Sequence, residues 1–287
     1  MVKFVYINAG GDELEMSVAS GFIVTDFRSP SSNDISLSES QALSQVGSTV
    51  SCHAVNSKTI SIEGVFKNVS NGRKELLDVI LPGVPAKFRY VNTKEKIDVY
   101  WDVYPKRTPE ITNNRCWESF SFDMLAPYPY PRNWEPATTK FDYTRAVHRF
   151  RRSYSSTVPW KLSERIVNPL NVVSNTGSMP TGFTAVLTAS AGGITNPKIL
   201  NVDTREYIGF ISLTMQDGDV LQVCTVPGKC AVLLTRNGVT SNAIPYMDYE
   251  STFFVLPRGK SNIKIMADTN SNSLDALIVV ENVTAGV

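Results

Sequence analysis

Histidine and cysteine are scarce in this 287-residue sequence, which contains two histidines and four cysteines. The cysteines form no C-x-x-C pair and are too few for a disulfide scaffold of this length. Their positions are Cys52, Cys116, Cys224 and Cys230. Cys224 and Cys230 flank a Val-Pro-Gly turn and could face each other across a hairpin. Because a reducing compartment is expected, free thiols remain the favoured state.

Long apolar runs and a net charge are also missing. No stretch of roughly 18 apolar residues predicts a membrane span, and no signal-peptide pattern opens the chain, so synthesis in a cytoplasm is expected. Lys and Arg total 28 against 27 for Asp and Glu. No overall field therefore attracts nucleic acid or anionic lipid. A short basic run at residues 145–152 is more typical of a solvated surface than of a binding site.

Catalytic motifs are absent as well. His53 lies near a predicted strand and His148 in the basic run, and neither has a nucleophile or base in a recognisable context. No nucleophile elbow, phosphate loop or metal-ligand spacing occurs. Asp217 and Asp219 flank Gly218 and are more typical of a turn than of a calcium site.

We therefore expect no catalytic, cofactor-binding or metal-binding residue, and no enzymatic activity. A glycosidase needs only two opposed carboxylates and leaves no motif, so that one class of enzyme stays open.

What is present is a β pattern. Hydrophobic residues make up 42% of the chain, which is typical of a folded globular protein. Strict alternation in Thr59–Glu63 and in Ser119–Met124 places apolar side chains on one face of a strand. Val2–Ile7 and Lys96–Tyr104 are further predicted strands. The first half is therefore predicted to be mainly antiparallel β.

One helix is predicted over Arg73–Ile80, capped by Ser70 or Asn71 and ended by Pro82. Residues 28–48 carry seven serines before Ser48 with little periodicity. That segment is predicted to be a long loop or arm with too little apolar surface to pack alone.

The second half alternates turn residues with short β-rich runs. The turns are Asp217-Gly218, Pro227-Gly228, Asn237-Gly238 and Pro257-Arg258-Gly259. The predicted strands are Asp219–Thr225, Cys230–Thr235, Ser251–Leu256, Asn262–Met266 and Ala276–Val280. This spacing predicts an all-β sandwich.

Prolines at 127–136 and the basic run suggest a junction between two domains, which the length also favours. We expect an N-terminal β domain over residues 1–145, a linker over 146–165 and a C-terminal β-sandwich over 166–287.

Four tryptophans complete the candidate set. Trp101 and Trp117 lie within predicted strands and are expected in the core, whereas Trp134 and Trp160, beside prolines, are candidates for a domain or subunit contact. Exposed aromatic side chains in a sandwich groove could also stack on sugar rings.

The order of these features resembles the siphovirus distal tail protein family over nearly the whole chain. In the first half the resemblance rests on Ile60-Ser61-Ile62-Glu63-Gly64, the helix Arg73–Ile80 with Pro82-Gly83, Ile97–Thr108, and Cys116–Pro131. In the second half it rests on Gly193–Ile199, Gly218–Leu221, Ser251–Leu256, Gly259–Asp268 and the final Gly286-Val287. The serine-rich segment 28–48 departs from the shorter glycine-containing turn of many members.

The resemblance implies a structural virion protein at the tail tip or baseplate, with an N-terminal β domain carrying one helix and a galectin-like C-terminal sandwich. It implies a ring, typically of six copies, through which DNA passes without specific binding. The implied partners are the major tail tube protein, the tail hub or tail-associated lysin, and in some members a receptor-binding protein. The family has no catalytic residues or cofactors to transfer.

From the residues alone, ring closure needs two different patches on each subunit. We expect the serine-rich arm, or an edge strand of the first domain, to be buried between subunits. The alternative function is a carbohydrate-binding adhesion module of the tail tip, formed by the second domain.

Overall fold

The computed structural model describes residues 2–28, 32–66, 71–113, 117–146, 163–167, 169–190 and 192–287. The chain divides into two compact units, one of Met1–Glu135 with Val283–Val287 and one of Pro136–Asn282. Both are built mainly of β-strands, which confirms the predicted fold class.

The first unit contains eleven strands within its described residues. They are β1 (Val2–Ile7), β2 (Glu13–Met16), β3 (Phe22–Arg28), β4 (Ile35–Ser40), β5 (Thr49–Val55), β6 (Lys58–Phe66), β7 (Ala86–Asn92), β8 (Ile97–Pro105), β9 (Glu110–Asn113), β10 (Glu118–Ala126) and β11 (Arg132–Asn133). The main sheet has the order β2-β1-β7-β8-β10-β6-β3, with β9 paired to β10 and β11 paired to β8. Strands β4 and β5 pair only with each other among the described strands.

The core of this unit follows from the two-residue alternation of its strands. Ile60 and Ile62 of β6 pack with Phe120 and Phe122 of β10, and all four side chains are buried. Trp101 of β8 is also buried, and its indole Nε1 donates a hydrogen bond to the carbonyl of Pro129 at 3.1 Å. The apolar faces predicted for β6 and β10 are confirmed.

Helix α1 (Gly72–Val79) is the one α-helix among the described residues, and it buries Leu76 against the same core. Ile80 follows it directly and is buried too. Asn71 precedes the helix in a left-handed conformation and makes no side-chain capping bond. The expected cap by Asn71 is therefore wrong, and the other candidate, Ser70, lies outside the described residues.

The second unit begins ahead of the junction expected at residues 146–165. Its described strands are β12 (Ala137–Lys140), β13 (Asp142–Ala146), β14 (Ser163–Val167), β15 (Leu170–Asn175), β16 (Phe183–Ala189), β17 (Ile194–Thr195), β18 (Lys198–Asn201), β19 (Tyr207–Gly209), β20 (Thr214–Met215), β21 (Val220–Cys224), β22 (Ala231–Arg236), β23 (Val239–Asn242), β24 (Gly259–Met266) and β25 (Leu274–Val280). Because β12 pairs with β25, the chain enters this unit at Pro136. Residues 147–162, most of the expected linker, lie outside the described residues.

Two larger sheets form the second unit, with orders β12-β25-β16-β21-β22-β23 and β15-β24-β18-β19. Buried side chains from both sheets, such as Leu221 and Ile263, belong to one hydrophobic cluster, as a sandwich requires. Short 3₁₀ helices occupy Ile244–Tyr246 and Ser271–Ser273. At Asn237-Gly238 both residues have positive φ, which suits the tight turn between β22 and β23.

One predicted strand is wrong. Within Ser251–Leu256 only Leu256 forms a bridge, with Thr181, while the amide of Thr252 donates to the carbonyl of Tyr207. Its backbone hydrogen bonds go to different partners. It therefore forms no continuous ladder.

The last residues, Val283–Val287, return to the first unit rather than ending the second. Val283 bridges Arg132, and the amide of Thr284 donates to the carbonyl of Pro131. The C-terminus thus completes the first unit, although the sequence assigned it to the second domain.

Candidate assembly surface

The serine-rich segment forms a β-hairpin, here called the ribbon, which comprises β4, β5 and the loop between them. Ile35 pairs with Val55 and Ser40 pairs with Thr49, and the register shifts by one residue between Ser38 and Glu39. The expectation of an aperiodic loop is therefore wrong for residues 35–40. The expectation of an arm fits, because the ribbon makes no strand pairing outside itself among the described residues.

The two faces of the ribbon differ in chemistry. Since directly opposed residues of an antiparallel pair point to the same side, one face collects the larger apolar side chains. This apolar face consists of Ile35, Leu37, Val50 and Val55, with His53 and Glu39 beside them. The opposite face carries small side chains, namely Ser36, Ser38, Ser40, Thr49, Cys52 and Ala54.

No part of the ribbon is buried within the described residues of the chain. Leu37 remains 55% exposed and Val50 52% exposed. Leu43 and Val46, in the loop at the tip, are fully exposed. An isolated two-stranded hairpin is marginal in water, and apolar side chains normally avoid such exposure, so this face has the character of a contact surface.

Polar contacts close the base of the ribbon, and the adjoining Asn33 contacts other residues of the first unit. The amide of Asn56 donates to the carbonyl of Asp34 at 3.0 Å, and the side-chain amide of Asn56 donates to the hydroxyl of Ser36 at 2.9 Å. Asn33 donates from its side chain to the carbonyl of Ala285. Burial lowers the pKa of Lys58, whose ammonium lies 3.5 Å from the side-chain oxygen of Asn33.

Of the two histidines considered for chemistry, the structure describes His53 alone. His53 lies exposed on β5, opposite Leu37, and His148 lies outside the described residues. No group of three or more His, Cys, Asp or Glu side chains in the described ranges is placed to hold a metal ion. Within those same ranges no helix is long and apolar enough to cross a membrane.

Asp219 has a structural role at its turn. It is 2% exposed and receives hydrogen bonds from the guanidinium of Arg236, at 2.6 and 2.9 Å, and from the amide of Gln216 at 2.7 Å. Burial acts to raise the pKa of Asp219, but these hydrogen bonds outweigh it and lower the pKa below its ordinary value. Asp217 is exposed and Gly218 has positive φ, so the turn interpretation of this pair fits the structure.

The positions of the tryptophans differ in part from those predicted. Trp101 is buried as expected, but Trp117 is 51% exposed, so its expected place in the core is wrong. Trp134 packs edge-on against Tyr100, and the centre of its ring lies 4.3 Å from the guanidinium carbon of Arg89. Both contacts lie within the first unit. Trp160 lies outside the described residues.

The cysteines remain thiols where they are described. Cys52, Cys224 and Cys230 are free, so the hairpin disulfide considered for the last two does not form. Cys116 lies outside the described residues.

The ribbon carried a signal that the sequence interpretation missed. Ile35-Ser36-Leu37-Ser38 alternates with the period of a strand, and Thr49–Val55 is rich in β-branched residues. The many serines in residues 28–48 favoured a loop interpretation over this alternation.

Comparisons with known proteins found one matching family model and several similar solved structures. Residues 176–276 match the family model described as "Siphovirus-type tail component, C-terminal domain". The sequence finds no match among curated proteins.

Solved structures match over both units. The Dit protein of phage SPP1, described as a paradigm of the hub adsorption apparatus in phages infecting Gram-positive hosts, is similar with a TM-score of 0.65. It shares 11% identity, and the match covers 97% of this chain and 98% of that one. Chains of the phage P2 baseplate in its activated conformation, with Ca and with Sr, match at TM-scores of 0.55 and 0.53. Each shares 10% identity, and 100% of both chains is covered.

The likeness at these identities concerns the fold, and the family match concerns the second unit. Together they confirm the resemblance: the chain has the fold of the Dit protein of phage SPP1, and its residues 176–276 match the family model of siphovirus-type tail components.

Proposed function

We propose that this chain is a structural virion protein that forms a ring, typically of six copies, between the tail tube and the baseplate. In this role it performs no catalysis. The observation that carries the proposal is the ribbon, an arm with an uncovered apolar face on a chain whose two units have the distal tail fold.

The ribbon suits ring assembly for a physical reason. A closed ring needs a patch on each subunit that fits a different patch on its neighbour. A projecting arm supplies the first patch without disturbing the core of the unit that carries it. Leu37 and Val50 gain free energy only when another surface covers them.

The charge of the chain suits a conduit for DNA. With 28 basic and 27 acidic residues, the ring carries little net charge per copy. A strongly basic channel would bind phosphates and retard passage, whereas a neutral one leaves the duplex free to slide.

Light scattering coupled to size exclusion tests the ring directly. The purified chain is expected to show a mass near six times 31.7 kDa at high concentration, and negative-stain images are expected to show closed rings. Dilution is expected to release monomers by mass action. The ring is rejected if the chain keeps a mass of 31.7 kDa at all concentrations, both alone and when mixed with tube and hub proteins.

The partners are tested by co-purification from assembled tails. The tube-forming major tail protein is expected to bind one side of the ring, and the hub or tail-associated lysin the other. A receptor-binding protein is a further candidate on the second unit. Retention of the chain in the tail-tip fraction of disrupted virions would support its place, and its presence only among soluble host proteins would oppose it.

A second candidate function is glycan binding by the second unit. Tyr249 is fully exposed on a turn in which the carboxylate of Asp248 accepts a hydrogen bond from the amide of Glu250. The hydroxyl of Tyr207 lies 3.0 Å from Asp248 and 3.2 Å from Glu250, and the hydrogen bond to Asp248 raises the pKa of Tyr207 to about 12. An exposed aromatic side chain beside carboxylates that accept hydrogen bonds is a common arrangement in sugar-binding sites.

Calorimetric titration with cell-wall glycan fragments tests glycan binding independently of ring assembly. Binding is expected to be lost in Tyr249→Ala and kept in Val239→Ala, which removes another exposed side chain of the same unit. Equal binding by both variants, or no heat with any fragment, would reject the glycan site.

A further inference from the structure

Residues Val283–Val287 form a segment that we call the strap. It belongs to the first unit and is held there at both ends. At one end Val283 is 1% exposed, and the amide of Thr284 donates to the carbonyl of Pro131 at 3.1 Å. At the other end Val287 packs against the hydrophobic core of the unit.

The middle of the strap contacts the root of the ribbon, by which we mean residues 32–34 and 56–57 on either side of it. The side-chain amide of Asn33 donates a hydrogen bond to the carbonyl of Ala285. The side-chain oxygen of Asn33 accepts a hydrogen bond from the ammonium of Lys58, the first residue of β6, at 3.5 Å. Asn33 thus joins three segments that are far apart in the sequence.

The root has few other ties to the body of the unit apart from its two chain connections. The hydrogen bonds of Asn56, to the carbonyl of Asp34 and the hydroxyl of Ser36, stay within the root and the ribbon. Among the described residues 32–34, Asn33 is the one whose side chain is hydrogen-bonded outside the ribbon and its root. A two-stranded hairpin is marginal by itself in water. The direction in which the ribbon leaves the unit therefore depends on what holds Asn33.

One buried group of the strap lacks a hydrogen-bond partner. The hydroxyl oxygen of Thr284 is inaccessible to solvent and forms no hydrogen bond with another described residue. Burying a hydroxyl without a partner is unfavourable, because the group loses its hydrogen bonds to water. Opening of the strap returns this hydroxyl to water. The closed strap is therefore less stable than its apolar contacts and its bond to Asn33 alone would make it.

We propose that the strap is a reversible latch for the ribbon. In the closed state Asn33 donates to Ala285, and the root is held against the first unit. In the open state the hydroxyl of Thr284 is hydrated and the root is released. The latch lies within one subunit and acts in the single chain. If the ring forms, a root that is already held leaves less motion to be lost on assembly, and this consequence alone rests on the proposed ring.

Amide exchange in a dilute, monomeric sample, followed by NMR, tests the latch. The amide of Asn56 reports on the root, because it donates to the carbonyl of Asp34. The amide of Thr284 reports on the strap, because it donates to the carbonyl of Pro131. Asn33→Ala removes one hydrogen bond to the strap, so both amides are expected to exchange about two- to tenfold faster. Unchanged exchange of the Asn56 amide would overturn the latch.

Asn33→Asp separates the strap from the other contact of this side chain. The substitution loses the donor that binds the strap but keeps an oxygen facing Lys58. It is expected to release the root as Asn33→Ala does. A root that stays protected in Asn33→Asp would show that Lys58 holds it, and the latch would be wrong. Asn171→Ala is the matched control, because it removes a side-chain bond to the carbonyl of Lys140 in the second unit, and it is expected to leave the root unchanged.

Thr284→Val tests the latch in the opposite direction. Valine has nearly the shape of threonine without the hydroxyl, so the substitution is expected to favour the closed strap and to slow exchange of the Asn56 amide by about fivefold. In the Asn33→Ala background the strap no longer holds the root, so Thr284→Val is expected to leave that amide unchanged.

Equal slowing in both backgrounds would show that Thr284→Val stabilises the unit as a whole, and it would overturn the latch. Thermal unfolding checks that each variant still folds. Because every measurement uses monomers, the result for the latch is the same whether or not the ring forms.

Discussion

Replacing Leu37 by aspartate places a charge in the middle of the apolar face of the ribbon. Leu37 is 55% exposed and pairs with the exposed His53, so the change leaves the core of the first unit untouched. The free energy of unfolding of the monomer is expected to change by less than about 0.5 kcal/mol, as for other surface substitutions.

The effect on assembly is expected to be much larger. Complete burial of a leucine side chain contributes about 1.5–3 kcal/mol, and the exposed half of Leu37 therefore contributes about 1 kcal/mol at each contact. An unpaired carboxylate buried in its place costs several kcal/mol more. A conservative total of about 2 kcal/mol raises the dissociation constant of each contact by about 30-fold.

Sedimentation velocity over a concentration series measures this shift. Leu37→Asp is expected to remain monomeric at concentrations where the unsubstituted chain forms rings. Ser38→Asp, the adjacent residue on the small-residue face, adds the same charge and is expected to assemble far better. Equal assembly by Leu37→Asp and the unsubstituted chain would refute the role of the apolar face.

Three further predictions concern the two cores. Gly64→Ala is expected to destabilise the first unit by about 1–3 kcal/mol in denaturant titration, because the added Cβ collides with the ring of Phe120; no change would contradict this packing. Asp219→Asn is expected to lower the stability of the second unit by about 2–3 kcal/mol at neutral pH, since Arg236 loses its carboxylate. Because the folded pKa of Asp219 is lowered, that contribution is present above pH 4 and is lost as acid protonates it, so a difference that persists in acid would contradict the assignment. Trp101→Phe is expected to cost about 1–3 kcal/mol through a buried, unpaired carbonyl at Pro129, and an unchanged midpoint would exclude that bond's role.

The sequence predicts well those elements whose periodicity is decided locally. Strands β6 and β10 alternate strictly because one face of each packs into the core, and Ile62 and Phe122 are buried accordingly. The helix at Gly72–Val79 was found from its apolar stripe, although its cap was not. In such elements, the spacing of apolar and polar residues shows directly which face is buried.

Long-range pairing leaves no comparable record. Nothing in Val283–Val287 indicates that these residues return to Pro131 and Arg132 in the first unit. Trp117 lies two residues before Ser119 and therefore shares its outward face, so the two-residue alternation of β10 itself contradicts the expectation that Trp117 lies in the core.

Hydrogen–deuterium exchange on the assembled ring and on monomers tests the central claim most directly. The account predicts that amides of residues 35–55 exchange freely in monomers and become protected on assembly, while amides of β23, in the second unit, exchange alike in both states. Equal exchange of residues 35–55 in the two states would contradict it.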